Sequence, residues 1–425
     1  MNTGDTAWVL ASSALVLLMT PGLAFFYGGM TRSKSVLNMM MMSFGAIGVV
    51  SVLWVFYGFS VAFGEKKSGL WGGLDWAGMK QMTSIETTLN GSVYGIPLLV
   101  FASFQLMFAI ITVALISGAI ADRAKFVTWM LFAVLWVSIV YFPVAHWVFD
   151  FGNADGEGAG WLAARGVLDF AGGTAVHVNA GAAGLALALV LGKRVGWKKD
   201  PMRPHSLPLV MLGAGLLWFG WFGFNAGSAL GATAVAGQAF FTTMVATATA
   251  MLGWILVETV RDKKATSLGA ASGAVAGLVA ITPACAFVTP IGAVGLGLVA
   301  GVVCALAVGL KYKLGFDDSL DVVGVHLVGG AVGALSLGFI SNYAGSEGLF
   351  YGGDIKILGN QALAVGVVAA FSFTVAFILG KVLDLTIGFR VSEEEEVTGI
   401  DQTEHLETAY EFAGSGGGSH FSKGL

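Results

Sequence analysis

Charged side chains are scarce in this sequence. They make up 11% of the 425 residues, against roughly 25% in soluble domains, which excludes a soluble multidomain enzyme. Cysteine is rarer still. The only two, Cys285 and Cys304, stand in or at the edge of apolar runs without metal-ligand spacing. Neither a disulfide framework nor a metal site is indicated, and both read as small buried residues. A basic segment ahead of the first apolar run is also missing. Met1 to Trp8 carries no Lys or Arg, which argues against a cleavable signal peptide. The formal net charge of -4 gives no reason to expect a nucleic-acid partner.

What replaces charge is hydrocarbon. Hydrophobic residues are 56% of the chain, and the mean hydropathy is +0.80. Repeated apolar runs of about 20 residues make this an all-α polytopic protein of the lipid bilayer. Many of the 62 glycines lie inside those runs, where they suit close helix packing. Eleven transmembrane spans are expected near 7–30, 36–63, 96–120, 127–148, 169–191, 207–229, 238–260, 268–286, 292–310, 322–342 and 360–388.

The connecting loops alternate in charge. One set holds fourteen basic residues: Arg32, Lys34, Arg123, Lys125, Lys193, Arg194, Lys198, Lys199, Arg203, Arg261, Lys263, Lys264, Lys311 and Lys313. The other set holds five: Lys66, Lys67, Lys80, Arg165 and Lys356. Basic loops face the cytoplasm, so an odd span count puts the N-terminus outside and the C-terminus inside the cell membrane. The composition changes after Arg390, where Ser392-Glu-Glu-Glu-Glu396 opens an acidic stretch. Residues 1–390 therefore read as a membrane domain and 391–425 as a cytoplasmic tail. The tail ends in the low-complexity segment Ser415 to Leu425, expected to be a flexible linker-like end.

Two stretches break the apolar pattern in the same way. Asp169-Phe-Ala-Gly-Gly-Thr-Ala-Val-His177 opens the fifth span and Asp321-Val-Val-Gly-Val-His326 the tenth. Gly181 and Gly184 follow His177 by four and seven residues, and Gly330 and Gly333 follow His326 at the same offsets, so each histidine shares a helix face with small residues. In the topology above, the fifth span runs inward and the tenth outward. This predicts a five-plus-five inverted repeat with the eleventh helix outside it, and a site near the midplane. On ideal helices His177 stands about 12 Å past Asp169, and His326 about 7.5 Å past Asp321. Entering from opposite faces of a core about 30 Å thick, both reach its middle third.

Ionisable groups at membrane depth mark pathways. Two neutral imidazoles sharing a hydrogen bond in an apolar tube can bind a small polar molecule, block a hydrated ion and relay a proton. The alternatives are two unrelated core histidines, or a haem ligated by both. His146, His205, His405 and His420 offer no matching second pair. Asp169 either caps its helix or adds negative charge that favours a cation arriving outside. Asp321 has the same capping reading at the cytoplasmic end. Near the outer mouth, Phe224 and Ser228 lie four apart on one face, an aromatic surface beside a hydroxyl acceptor. Cation–π contacts contribute about 0.5–2 kcal/mol each, far less than burying a bare ion costs. Binding as a cation at the mouth and loss of charge before the tube is the reading that physics favours.

Phe25-Phe-Tyr-Gly-Gly29, Asp169 to Asn179, Gly220-Trp-Phe-Gly-Phe-Asn-Ala-Gly-Ser-Ala229, Ile281-Thr-Pro-Ala-Cys285 and Asp317-Asp-Ser-Leu-Asp-Val-Val-Gly-Val-His326 together resemble the ammonium transporter (Amt/Mep/Rh) family, in its bacterial branch, over residues 7–412. The resemblance implies a homotrimer of eleven-helix subunits, each with its own pore, carrying ammonium, ammonia and methylammonium without a cofactor. It makes Phe108 and Phe224 the phenyl gate, Ser228 the hydroxyl of an outer recruitment site, and His177 and His326 the pore pair. Asp169 matches the family aspartate and Thr282 a position near the outer pore. Where that pattern has a tryptophan at the recruitment site, this chain has Phe149, with Trp147 two residues earlier. Either residue can fill the role. The tail resembles one that meets a PII-type signalling protein, although an acidic run is also what a solvated surface looks like.

Three other functions compete. An ammonium sensor would signal through the tail, but about 35 residues after Arg390 are short for an output module. A bis-histidine haem protein would show a visible absorption spectrum. A passive Rh-like channel for ammonia or carbon dioxide needs no cation site, which the Phe224 and Ser228 mouth provides.

Overall fold

A computed structural model describes residues 2–64, 69–80, 82, 88–89, 92–93, 95–152 and 158–410. The segment Ser415 to Leu425 and part of the loop after Gly64 lie outside the described residues. Among the described residues, ten helices are long and apolar enough to cross a bilayer. They are α1 (Thr3–Met30), α2 (Val36–Phe63), α3 (Leu98–Ile120), α4 (Phe126–Phe149), α5 (Gly173–Leu191), α6 (Leu207–Gly227), α7 (Ala234–Asp262), α9 (Pro290–Leu314), α10 (Val323–Ile340) and α11 (Lys356–Thr386). The eighth predicted span is α8 (Ser267–Ile281), apolar but only 15 residues long. At about 1.5 Å per residue it is shorter than the hydrocarbon core, and the chain continues past it through the turn that contains Thr282.

The helices begin where the sequence supplies acceptors for their free N–H groups. Ser206, Thr233, Thr266 and Thr289 cap α6, α7, α8 and α9. The outer surface of the bundle carries large exposed apolar side chains such as Phe44, Val52, Phe219, Leu252 and Ile378, as lipid contact requires.

α5 and α10 cross at the centre, and glycine decides how closely. A Cβ on Gly181 would run into the backbone nitrogen of Leu327, the residue after His326. A Cβ on Gly330 would stand 2.7 Å from the carbonyl oxygen of Gly173 and 3.1 Å from the Cβ of His177. Each helix thus offers a glycine to the other's histidine-bearing turn. The stripes of small residues serve backbone approach, and that approach brings the imidazoles together.

At the predicted cytoplasmic end, buried and half-buried charges are paired in a continuous run. Glu396 bonds Arg32, Arg390 and the Val195 N–H. Arg32 meets Asp122 at 3.3 Å, Asp122 meets Arg194 at 3.1 Å, and Arg194 grips Asp317 with bonds of 2.9 Å from both Nε and Nη2. The tail forms two short helices, α12 (Glu393–Thr398) and α13 (Ile400–His405). Asp401 accepts the Leu37 and Asn38 N–H groups at the start of α2, and Glu404 accepts the Phe126 N–H at the start of α4. The acidic stretch is therefore solvated only in part. Glu393 and Glu394 are exposed and Glu395 is half-buried, whereas Glu396 is buried, because helix N-termini and arginines favour negative charge there.

Burial alone would raise the Asp317 carboxyl, but the hydrogen bonds and charge of Arg194 outweigh it and hold the group below its usual value. A depressed carboxylate adds stability above its unfolded pKa and loses it as pH falls through the folded value. Asp317→Asn is therefore expected to flatten the fall of Tm with acid below about pH 4. An acid limb of native steepness in the variant would contradict this.

Candidate functional site

The two histidines that the pattern singled out do meet. His177 Nδ1 and His326 Nδ1 are 3.2 Å apart, with ring planes 17° from parallel and centroids 5.3 Å apart. Both sit in π-helical turns, Gly173–Val178 in one repeat and Val323–Leu327 in the other, and such bulges recur at functional sites. One Nδ1 must donate and the other accept, so the rings hold opposite tautomers. His177 Nε2 is buried with no hydrogen-bond partner among the described residues. Trp221 stacks on the other side of His177 at 5.3 Å. A Nδ1–Nδ1 distance of 3.2 Å leaves no space for a haem between the rings, which removes the bis-histidine haem reading.

Around the pair lies a narrow cavity of about 10 Å³, walled by Leu23, Phe26, Ile111, Leu115, Leu217, Trp221, Phe224 and Val275. That is room for about one water-sized molecule. Apart from the Trp221 indole N–H, which is bonded elsewhere, the two imidazoles carry the only side-chain nitrogen or oxygen atoms among the described residues of its lining. A second cavity of about 40 Å³ lies beyond, lined by Phe101, Gln105, Phe108, Phe149, Phe151, Phe170, Ser228 and Leu230. The partition between them is a stacked pair. Phe108 faces the outer cavity, Phe224 the inner, and their rings stack at 4.2 Å and 26°. Ser228 donates its hydroxyl to the Phe224 carbonyl at 2.8 Å, which leaves its oxygen lone pairs for an incoming N–H.

The chain matches the model of the Ammonium Transporter Family over residues 7–410. It is 59% identical to an ammonium transporter of Mycobacterium tuberculosis, an alignment covering 97% of this chain and 91% of that protein. It is 47% identical to an ammonium transporter of Bacillus subtilis, over 97% and 99% of the two chains. This chain belongs to the ammonium transporter family. Solved structures agree on the fold. A protein described as Sensor Amt Protein superposes with a TM-score of 0.87 at 30% identity, over 95% of this chain and 98% of that one. Mep2 of Saccharomyces cerevisiae gives 0.82 at 36% identity, over 92% and 91%.

Three other residues singled out for the transporter's site do not line its two cavities. Asp169 does not line the outer cavity. It is buried, and its two carboxylate oxygens accept the N–H groups of Gly172, Gly173, Thr174 and Ala175 at 2.6–3.0 Å. With those lone pairs filled, it caps the pore helix and acts on a cation only through charge. Trp147 also leaves the mouth to Phe149. Its indole donates to the Leu70 carbonyl at 2.7 Å and packs on Phe371 and Trp161. Thr282 lies behind the pore wall and accepts the Trp221 indole N–H at 2.8 Å, so it orients a pore residue without lining the pore.

The repeat partner of Asp169 needs correcting as well. It is Asp318, whose carboxylate accepts the Val322 and Val323 N–H groups at 3.1 and 2.8 Å. Asp321 adopts a positive φ of 64° and pairs with Lys311. The spacing already pointed to Asp318, which precedes His326 by eight residues, as Asp169 precedes His177. Trp221 and Gln105 were also passed over. Each falls on the face of its helix that carries a pore phenylalanine.

Proposed function

We propose that this ammonium transporter takes up ammonium as a cation in the outer cavity and strips one proton at the Phe108–Phe224 partition. Neutral ammonia then passes along His177 and His326. The observation that carries the reading is the imidazole pair, 3.2 Å apart in an apolar cavity of one-water size. A bare cation entering that space would lose its hydration for a few weak contacts, and burying it costs far more than those return. A neutral molecule with both donors and a lone pair suits rings that offer both. The hydrogen-bonded rings also give a proton a route, since each can hand over a proton at one nitrogen and take one at the other.

In this reading Ser228 accepts an N–H of ammonium, Phe108 and Phe149 face it, and Phe108 with Phe224 gates entry. Asp169 favours the cation from behind the wall, and Thr282 holds Trp221 against His177. The membrane domain is 1–390 and the tail 391–425. The subunits form a homotrimer in the cell membrane, with the N-terminus outside and a PII-type protein as the partner of the tail. Ammonium pulses on protein-containing supported membranes test the core of it. A transient current is expected, with the proton following separately from ammonia. No current, alongside uptake, would leave only neutral gas conduction of the Rh type. Ammonium binding with neither current nor uptake would leave the sensor reading.

Phe224→Ala removes one half of the stacked partition and joins the two cavities. Initial methylammonium uptake is expected to change by about two- to tenfold, since an aromatic pair is worth roughly 0.5–1.5 kcal/mol. Native uptake rates in this variant would deny the pair a gating role.

A further inference from the structure

His146 has no part in the reaction described above, yet it is completely buried close to the outer cavity. It lies in the last turns of α4, three residues before Phe149 and four before Asp150. Its Nδ1 stands 3.0 Å from the carbonyl oxygen of Ala62 in the last turn of α2 and 3.2 Å from Oδ2 of Asp150. Both neighbours are acceptors, so Nδ1 carries the proton and donates to them together. Nε2 is buried with no partner among the described residues, which leaves the Nδ1–H tautomer as the one that the surroundings satisfy.

The clamp encloses the residue that faces the substrate. Asp150 ends α4, its other oxygen accepts the Gly152 N–H at 3.0 Å, and its carbonyl accepts the Gly160 N–H at 2.7 Å. Trp147 is tied outward to Leu70. Phe149 thus sits between anchored residues, while its ring meets Phe108 only edge-on, at a centroid distance of 6.5 Å. The ring is buried among its neighbours, so the direction in which it packs follows from the backbone that carries it.

We infer that His146 is a positioning residue for the outer mouth: by bridging Ala62 of α2 and Asp150, it fixes the last turn of α4 so that Phe149 faces arriving ammonium. The inference rests on the reading of the outer cavity as the recruitment site. It predicts an effect on KM through Phe149 and little effect on the rate of passage.

The test is methylammonium uptake by the full-length protein, normalised to the amount in the membrane. His146→Leu is expected to raise KM about tenfold, the worth of one lost hydrogen bond, with Vmax within about twofold of native. His146→Asn keeps an N–H donor where Nδ1 stood and is expected to restore a native KM. His146→Gln carries its amide further out, at the level of Nε2, and is expected to behave like the leucine variant; it serves in its place should that variant fail to fold. In a Phe149→Leu background, which itself raises KM, His146→Leu is expected to add nothing further.

A native KM in His146→Leu or His146→Gln would overturn the inference. So would an asparagine variant as impaired as the leucine one, or an undiminished KM rise in the Phe149→Leu background. A Phe149→Leu protein with native KM would instead remove the recruitment reading, and this inference with it.

Discussion

Asp169→Ala is expected to abolish methylammonium uptake, leaving less than about a hundredth of the native rate. The reason is local. One carboxylate takes four consecutive N–H groups at the start of the turn that carries His177. Each buried N–H left unpaired costs about 1–3 kcal/mol, so the turn has to rearrange to find other acceptors. A rearrangement of even 1 Å displaces His177 from His326, whose hydrogen bond is already 3.2 Å long. The same change removes a buried negative charge behind the pore wall that favours a cation. Asp169→Asn separates the two effects. It keeps one acceptor oxygen, loses the charge, and turns a donor toward backbone N–H groups, so partial transport at best is expected. The checks are uptake and thermal stability measured on the same preparation. Native uptake in Asp169→Ala would refute both the capping and the electrostatic role.

The second large effect concerns selectivity. His177→Ala or His326→Ala opens the inner cavity by most of an imidazole and leaves the surviving Nδ1 without its partner. The native free volume is about 10 Å³, which admits a water-sized molecule and no hydrated ion. The widened space takes further waters, and with them a cation can keep part of its hydration. Discrimination of ammonium against potassium is expected to fall by tenfold or more, an order-of-magnitude figure set by the loss of one dehydration barrier of about 1.4 kcal/mol or more. The proposed proton route through the paired rings is cut at the same time, so the ammonium current is expected to lose its fixed ratio to uptake. Currents evoked by potassium and by ammonium pulses, measured against methylammonium uptake, read both effects. A variant that still excludes potassium would show that selectivity lies at the Phe108–Phe224 partition instead.

The spans were legible because hydrocarbon thickness imposes a length and a hydropathy that no other environment demands. Even α8, which at 15 residues is too short to count by length, stood out as an apolar run. The two histidines were legible because an imidazole in such a run is rare and its repeat doubled the signal. Asp318 was hidden by a neighbour. Two carboxylates, Asp318 and Asp321, precede the same helix, and both fit a cap on paper. Only the backbone, with its positive φ at Asp321, decided which one turns toward the N–H groups. Phe149 and Trp147 posed the same difficulty. They are two residues apart on a helix end, and which one faces the mouth depends on the Leu70 carbonyl, in the loop after α2, which holds the Trp147 indole. Thr282 lies one shell behind the wall, a distinction that chain order does not carry.

The sequence by itself determined that this is a bundle of bilayer helices in two opposed halves, with an imidazole placed deep in each. Composition and period are one-dimensional properties, and the bilayer reads them directly. The tertiary structure alone decided that the two imidazoles share a hydrogen bond, that Asp169 spends its oxygens on backbone, and that two stacked rings divide the route. Those facts depend on how closely α5 and α10 cross. That closeness is set by glycine against backbone at Gly181 and Gly330, a contact between residues about 150 positions apart along the chain, of the kind that governs helix association in a membrane.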